Sequence, residues 1–171
     1  MSGEVGSTSP VSATRFATTP EQHRRILERY RRIAMVGLSA NPYRPSNFAA
    51  RYMKAAGYRI FPVNPREREI LGLPCYASLG DVPQPLEIVD IFRDPSAVPA
   101  IVEEAIAAKA RVIWMQLGVI HEQAAARALD AGLEVVMDRC VKIEHARFFG
   151  GLSTLGLNAG VLSARKPRAA P

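Results

Sequence analysis

Residues 37–46, Gly37-Leu38-Ser39-Ala40-Asn41-Pro42-Tyr43-Arg44-Pro45-Ser46, combine a glycine turn, small polar side chains, one cation and a helix-starting serine. Such a turn from a strand into a helix N-terminus is suited to holding phosphate, because backbone amides and the helix dipole both favour an anion there. The three-glycine fingerprint of dinucleotide folds is absent, since Gly37 has no second or third partner in G-x-G-x-x-G spacing. Pro42 and Pro45 stiffen a longer loop instead, Arg44 stands near the next helix, and Ser46 is the expected N-cap. Taken alone, the loop reads equally as a phosphate turn or as a rigid crossover carrying a surface arginine.

Four more segments carry candidate chemistry. In Val63-Asn64-Pro65-Arg66-Glu67-Arg68, Asn64 and Pro65 stand where an NAD site places an acid for the ribose hydroxyl. Arg66 and Arg68 then suit a nucleotide with an extra ribose phosphate, the alternative being a solvated charged turn. Phe92 and Arg93 can pack on a base or pantetheine and meet a phosphate, or else Phe92 is core and Arg93 pairs with Asp90 or Asp94. Trp114 and Met115 read as core, with Gln116 and Gly118 as site candidates at the same strand end. Cys140, between Arg139 and Lys142, is a candidate for a lowered thiol pKa, with a structural cysteine as the alternative.

No catalytic residue or metal site is expected. The Cys140–His145 spacing matches no metal pattern, and no Ser-His-Asp arrangement, carboxylate pair or Walker lysine stands out. His23 and His121 lie in helical contexts, neither with an evident partner.

The elements that position these residues alternate. Strands are expected at 33–37, 59–63, 88–92, 112–117 and 134–137, and helices at 20–30, 46–56, 98–108 and 122–131. Thr19 and Pro20 open the first helix, and Gly57 and Gly132 close two others. A weaker piece, 70–76, is broken by Gly72 and Pro74 and reads as a short edge strand or hairpin. Near-continuous Val, Ile and Met runs between helices predict strands covered on both faces, hence an α/β Rossmann-like doubly wound parallel sheet in three layers. If the weak piece counts as the third strand, the order is 3-2-1-4-5-6, with ligands at the carboxyl ends near the switch point.

A chain of 171 residues with 48% apolar side chains fits one folded domain, taken as 20–150 between a disordered leader, 1–19, and an extension, 151–171. No apolar run reaches membrane-spanning length and no signal pattern opens the chain, so a cytoplasmic protein without a membrane partner is expected. Two cysteines are too few for a disulfide framework. The net charge of +6 lies in the ends: +3 over residues 1–32, +4 over 146–171 and −1 between them. Nucleic-acid binding is therefore not expected at the central loops. Apolar residues at 148–157 suggest a homodimer or partner surface through the C-terminal extension.

Read together, Val36–Pro42 with Arg44-Pro45-Ser46, then Pro62-Val63-Asn64-Pro65, Val89-Asp90-Ile91-Phe92-Arg93, Trp114–Gly118 and Met137–His145 resemble the small stand-alone coenzyme A-binding proteins. That family is similar to the N-terminal CoA-binding domain of the succinyl-CoA synthetase α subunit. The resemblance covers about residues 20–150 and implies CoA, free or acylated, across the carboxyl edge of a Rossmann-like sheet. By position, it implies phosphate contacts from Gly37, Ser39, Asn41, Arg44 and Ser46, and nucleotide contacts from Asn64, Pro65 and Arg66 or Arg68. It also implies Phe92 and Arg93 on the other side, and Gln116 and Gly118 beneath the pantetheine. The synthetase's phosphohistidine lies in Gly-His-Ala-Gly, whereas His145 stands in Glu144-His145-Ala146-Arg147. Binding without ligation is the expected role. An NAD(P)-dependent oxidoreductase on the same fold and a scaffold protein remain the alternatives.

Overall fold

The computed structural model describes residues 19–150. Readings that concern the leader and the C-terminal extension, including a homodimer through it, lie outside the described residues. Helix α1 (Pro20–Arg29) starts where Thr19 Oγ1 accepts from the Gln22 amide at 3.3 Å and proline takes the first helical position. Strands β1 (Arg32–Val36) and β2 (Arg59–Val63) flank α2 (Pro45–Ala55). A hairpin follows, β3 (Glu69–Ile70) and β4 (Leu73–Pro74). The remaining chain alternates β5 (Ile88–Ile91), α3 (Val98–Ala107), β6 (Val112–Met115), α4 (Glu122–Asp130), β7 (Glu134–Val136) and α5 (Val141–Phe149).

Five parallel strands form one sheet in the order β2-β1-β5-β6-β7. The weak piece does not supply a third strand to it. Gly72 at φ +70° and Pro74 turn it into the separate two-stranded hairpin, which packs Ile70 into the core, and among the described residues of the piece only Tyr76 forms a bridge to the sheet, parallel to Val63. The switch point falls between β1 and β5, as doubly wound sheets require. Gly57 (φ +91°) and Gly132 (φ +87°) end α2 and α4 in the left-handed conformation that glycine accepts without strain.

Alternation along the strands divides the core in two. Ala34, Phe61, Val89, Ile91, Ile113 and Val135 face α3 and α4, while Ile33, Met35, Ile60, Ile88, Val112 and Trp114 face α1, α2 and α5. This is the three-layer arrangement expected. Among the described residues, no helix is long and apolar enough to cross a membrane.

Helix α5 is a departure from the sequence reading, which took 137–145 as a strand-end loop. Its inward positions are Val141, Glu144 and His145, two of them polar, so the apolar period is weak. Partners from distant segments stabilise it: Glu144 Oε2 lies 3.0 Å from Nδ1 of His23 in α1, both side chains being 2% exposed, and Arg147 donates to the same oxygen at 3.3 Å. His23 therefore has a buried partner that spacing did not reveal. His145 Nδ1 lies 3.0 Å from the Tyr52 hydroxyl, and burial, then the Arg31 charge, holds its pKa below the ordinary value.

Asp90 is the other buried acid of this layer. It is fully enclosed on β5 between Met35 and Trp114, and Gln116 Nε2 donates to its Oδ1 at 2.6 Å. Its Oδ2 is buried without a hydrogen-bond partner. Desolvation pushes the carboxyl up to about 8, overcoming the Gln116 hydrogen bond that pulls it down.

Two stability outcomes follow from these buried groups. The folded chain holds a proton on Asp90 that the unfolded chain releases near 3.8, so this group's stabilisation is complete below that pH. It is lost as pH rises toward about 8. Urea unfolding at pH 5 and pH 8 is expected to show a drop of about 1–4 kcal/mol, largely removed in Asp90→Asn. An equal slope in both proteins would assign the dependence to other groups. Glu144→Ala withdraws the carboxylate from His23 and Arg147 and is expected to cost about 3 kcal/mol in the same assay.

Candidate functional site

The carboxyl ends of β1, β2, β5 and β6 bring most of the expected residues to one edge. Ladder hydrogen bonds continue past the strands, from the Gly37 amide to Val63 O at 2.9 Å and from Phe92 to Val36 O at 2.9 Å. They fix the start of each loop against its neighbour. Gly37 has φ +84°, and a Cβ placed there would lie 2.8 Å from Arg93 Cδ and 3.1 Å from its Cγ. The left-handed backbone strains any side chain there, and a Cβ would also have to push aside the arginine stem that crosses from β5. This contact is what joins the first loop to Arg93.

The loop's own polar groups hold its shape. Ser46 Oγ accepts from the Ser39 amide at 3.1 Å, Ser39 Oγ accepts from Asn41 at 3.1 Å, and Asn41 Oδ1 accepts from Tyr43 at 2.9 Å. Ser46 is not the N-cap: Arg44 occupies that position and Pro45 opens the helix. The proline takes the first helical position, whose amide has no intrahelical partner, and moves Ser46 inward to a buried place under the loop. Asn47, which the sequence reading did not single out, donates from Nδ2 to Ser39 O at 2.9 Å, while its Oδ1 is buried without a partner. The Asn41, Tyr43 and Arg44 side chains remain exposed.

Asn64 braces the loop from β2. Its Nδ2 donates to Leu38 O at 3.0 Å, its Oδ1 accepts from the Arg66 amide at 3.0 Å, and its own amide donates to Tyr76 O at 2.9 Å. Pro65, Arg66 and Arg68 are exposed beside it. Phe92 is half-buried against the core on the α1, α2 and α5 side, and Arg93 is exposed without a carboxylate partner among the described residues. Arg93 forms no ion pair with Asp90 or Asp94, since Asp90 turns to Gln116 and Asp94 Oδ1 accepts from the Ser96 amide and hydroxyl, although the Arg93 charge adds to the hydrogen bonds that lower the Asp94 pKa.

Gln116 is buried with its amide nitrogen committed to Asp90, so it contributes to this edge from below. Gly118 (φ +80°) is exposed, and its amide donates to Asp138 Oδ1 at 2.8 Å. Of the two readings of Cys140, the structural cysteine is the one that fits: burial raises its thiol pKa, and the Asp90 charge adds to the rise, against the opposing pull of nearby amides and Lys142. A thiol held protonated is a poor nucleophile. Among the described residues, no group of three or more His, Cys, Asp or Glu side chains is arranged to hold a metal. The edge therefore offers a braced turn, a helix start, and the cations Arg44, Arg66, Arg68 and Arg93, which is chemistry for binding a multiply charged anion.

Comparison with known proteins gives the family of the chain. The chain is 41% identical over 121 residues to the uncharacterized protein YneT of Bacillus subtilis, covering 71% of this chain and 90% of that one. A solved structure of a hypothetical protein from Pyrococcus horikoshii superposes with a TM-score of 0.77 at 39% identity, covering 85% of this chain and all of the other. A 72-residue stretch is 32% identical to an ADP-forming acetate–CoA ligase of Archaeoglobus fulgidus, covering 42% of this chain and 10% of the ligase. The family model described as a CoA binding domain matches residues 31–146, and the chain belongs to that family.

Proposed function

We propose that this chain binds coenzyme A, free or acylated, across the carboxyl ends of β1, β2, β5 and β6, and holds it without converting it. The observation that carries the reading is the contact between Gly37 and Arg93, which sets a cation beside the turn that leads into α2. CoA presents a pyrophosphate and a ribose 3′-phosphate. Arg44 and Arg93 flank the turn for the first, and Arg66 and Arg68 follow β2 for the second. Asn64, where NAD sites carry an acid, adds no repelling charge. Guanidinium groups suit phosphate because their N–H donors match it in pairs.

Family membership supports association with CoA. The acetate–CoA ligase relative lends no activity, since the shared stretch is a tenth of that protein. No nucleophile or general base converges on the edge among the described residues: Cys140 is held protonated, and His145 is turned toward Tyr52.

Titration calorimetry with CoA, dephospho-CoA and NADPH tests the reading. CoA is expected to bind saturably, NADPH not to, and dephospho-CoA about tenfold more weakly through loss of a charge-assisted contact. Absence of saturable CoA binding sinks the proposal, whereas equal affinity for dephospho-CoA removes only the role of Arg66 and Arg68. Arg93→Ala is expected to weaken CoA by about tenfold with the unfolding midpoint unchanged. Gly37→Ala is expected to cost about 1–2 kcal/mol of stability from the left-handed backbone and to lower CoA affinity by displacing Arg93.

A further inference from the structure

The opposite edge of the sheet, where the strands begin, carries a second concentration of charge. Arg31 immediately precedes β1 and Arg32 opens it, Arg59 opens β2 in register with Arg32, and Arg111 immediately precedes β6. Arg29 ends α1 and Lys109 follows α3. The Arg59 amide donates to Arg31 O at 2.8 Å and the Arg111 amide to Glu87 O at 3.0 Å, so the stripe is tied together by backbone.

Four of these guanidinium groups are held against rings, Arg29 standing 5.3 Å from the Tyr30 ring centroid. Arg31 stands 4.9 Å from the Tyr58 ring centroid, and Arg32 and Arg59 stand 4.6 and 5.4 Å from that of Phe61. Their side-chain order is therefore in place before any partner arrives. One carboxylate, that of Glu87 immediately before β5, sits within the stripe, but it is turned to backbone amides and not to guanidinium groups. Glu87 Oε2 accepts from the backbone amides of Arg31 and Arg32 at 2.8 and 2.9 Å, Glu28 pairs with Arg24, and Glu134 pairs with Arg25. Among the described residues, none of the six cations lies within ion-pair distance of an acid. Helix dipoles account for Arg29 and Lys109, which stand at helix C-termini, and the Arg32 guanidinium donates to the Pro85 and Pro83 carbonyls at 2.7 and 2.6 Å, whereas Arg31, Arg59 and Arg111 have no such internal acceptor for their guanidinium groups among the described residues.

We infer that this edge docks an acidic segment of a partner protein. From β2 to β6 is three strand spacings, about 14 Å, and an extended chain with acids at alternate positions spans the same distance in five residues. Beside the stripe lies a cleft of about 780 Å³, where Tyr30, Pro85 and Ala107 offer apolar surface next to Lys109 and Arg111, with Glu87 as the one acid in its lining. Mixed apolar and basic surface suits a peptide. Nucleic acid is disfavoured because Tyr58 and Phe61, 3% and 5% exposed, lie beneath the guanidinium groups and present no open face for base stacking. The inference is independent of CoA, which is assigned to the other edge.

The test uses the full chain and a fluorescein-labelled peptide of six Glu-Ser repeats, with six Gln-Ser repeats and a twelve-nucleotide oligo-dT as comparisons, read by fluorescence anisotropy. The glutamate peptide is expected to bind saturably at low ionic strength and more weakly at about 0.15 M salt. The glutamine peptide is expected not to bind. Arg59→Glu/Arg111→Glu is expected to reduce affinity at least about tenfold with CoA binding unaltered. Should that variant not fold, Arg59→Gln/Arg111→Gln gives a smaller loss in the same direction. Equal binding by a folded variant, tighter binding of oligo-dT, or no saturable glutamate binding at low salt overturns the inference.

Discussion

Five strands running in one direction, each covered on both faces, require every return of the chain to pass through a crossover on one face or the other. All strand-to-helix turns then collect on one edge and all helix-to-strand turns on the other. The two edges have unlike chemistry as a result. At the carboxyl edge, helix N-termini and glycine turns face outward, and at the amino edge, helix C-termini meet strand starts. The proposed binding edge and the arginine stripe are separated by the length of the strands because the strands run parallel.

At the carboxyl edge the polar side chains divide their work. Ser39, Ser46, Asn41, Asn47 and Asn64 are occupied in holding the first loop, and Arg44, Arg66, Arg68 and Arg93 remain exposed around it. Such a loop loses little conformational freedom when an anion arrives, since its shape is already determined by internal hydrogen bonds. Asp90 and Gln116 extend this support into the sheet, at the cost of an acid that stays protonated at neutral pH.

Much of this was legible in the sequence. Strand β2 matches its expected limits, and Gly57 and Gly132 end helices as expected, because these features depend on local backbone preference. The residues of the loops were legible as a group for the same reason: strand ends are read from apolar periodicity. What was missed depends on contacts far apart in the chain. Helix α5 hides its period behind Glu144 and His145, whose burial is compensated by His23 and Tyr52. Ser46 looked like a cap until Pro45 took the position beside it, and the choice between an activated and a structural Cys140 was left to burial, which outweighs the adjacent cations. Charge sequence alone does not report desolvation.

Strand β2 is an outer strand, and outer strands are open templates on which another chain can pair. Here the template is interrupted. Pro62 has no amide hydrogen to offer, its carbonyl accepts from Tyr76 at 2.9 Å, and the Asn64 amide is occupied by the Tyr76 carbonyl. The segment that failed to become a strand thus acts as a plug on the growing side of the sheet. Protection from runaway sheet extension comes from a partial strand, and the pairing of copies edge to edge along this half of β2 is closed to the molecule.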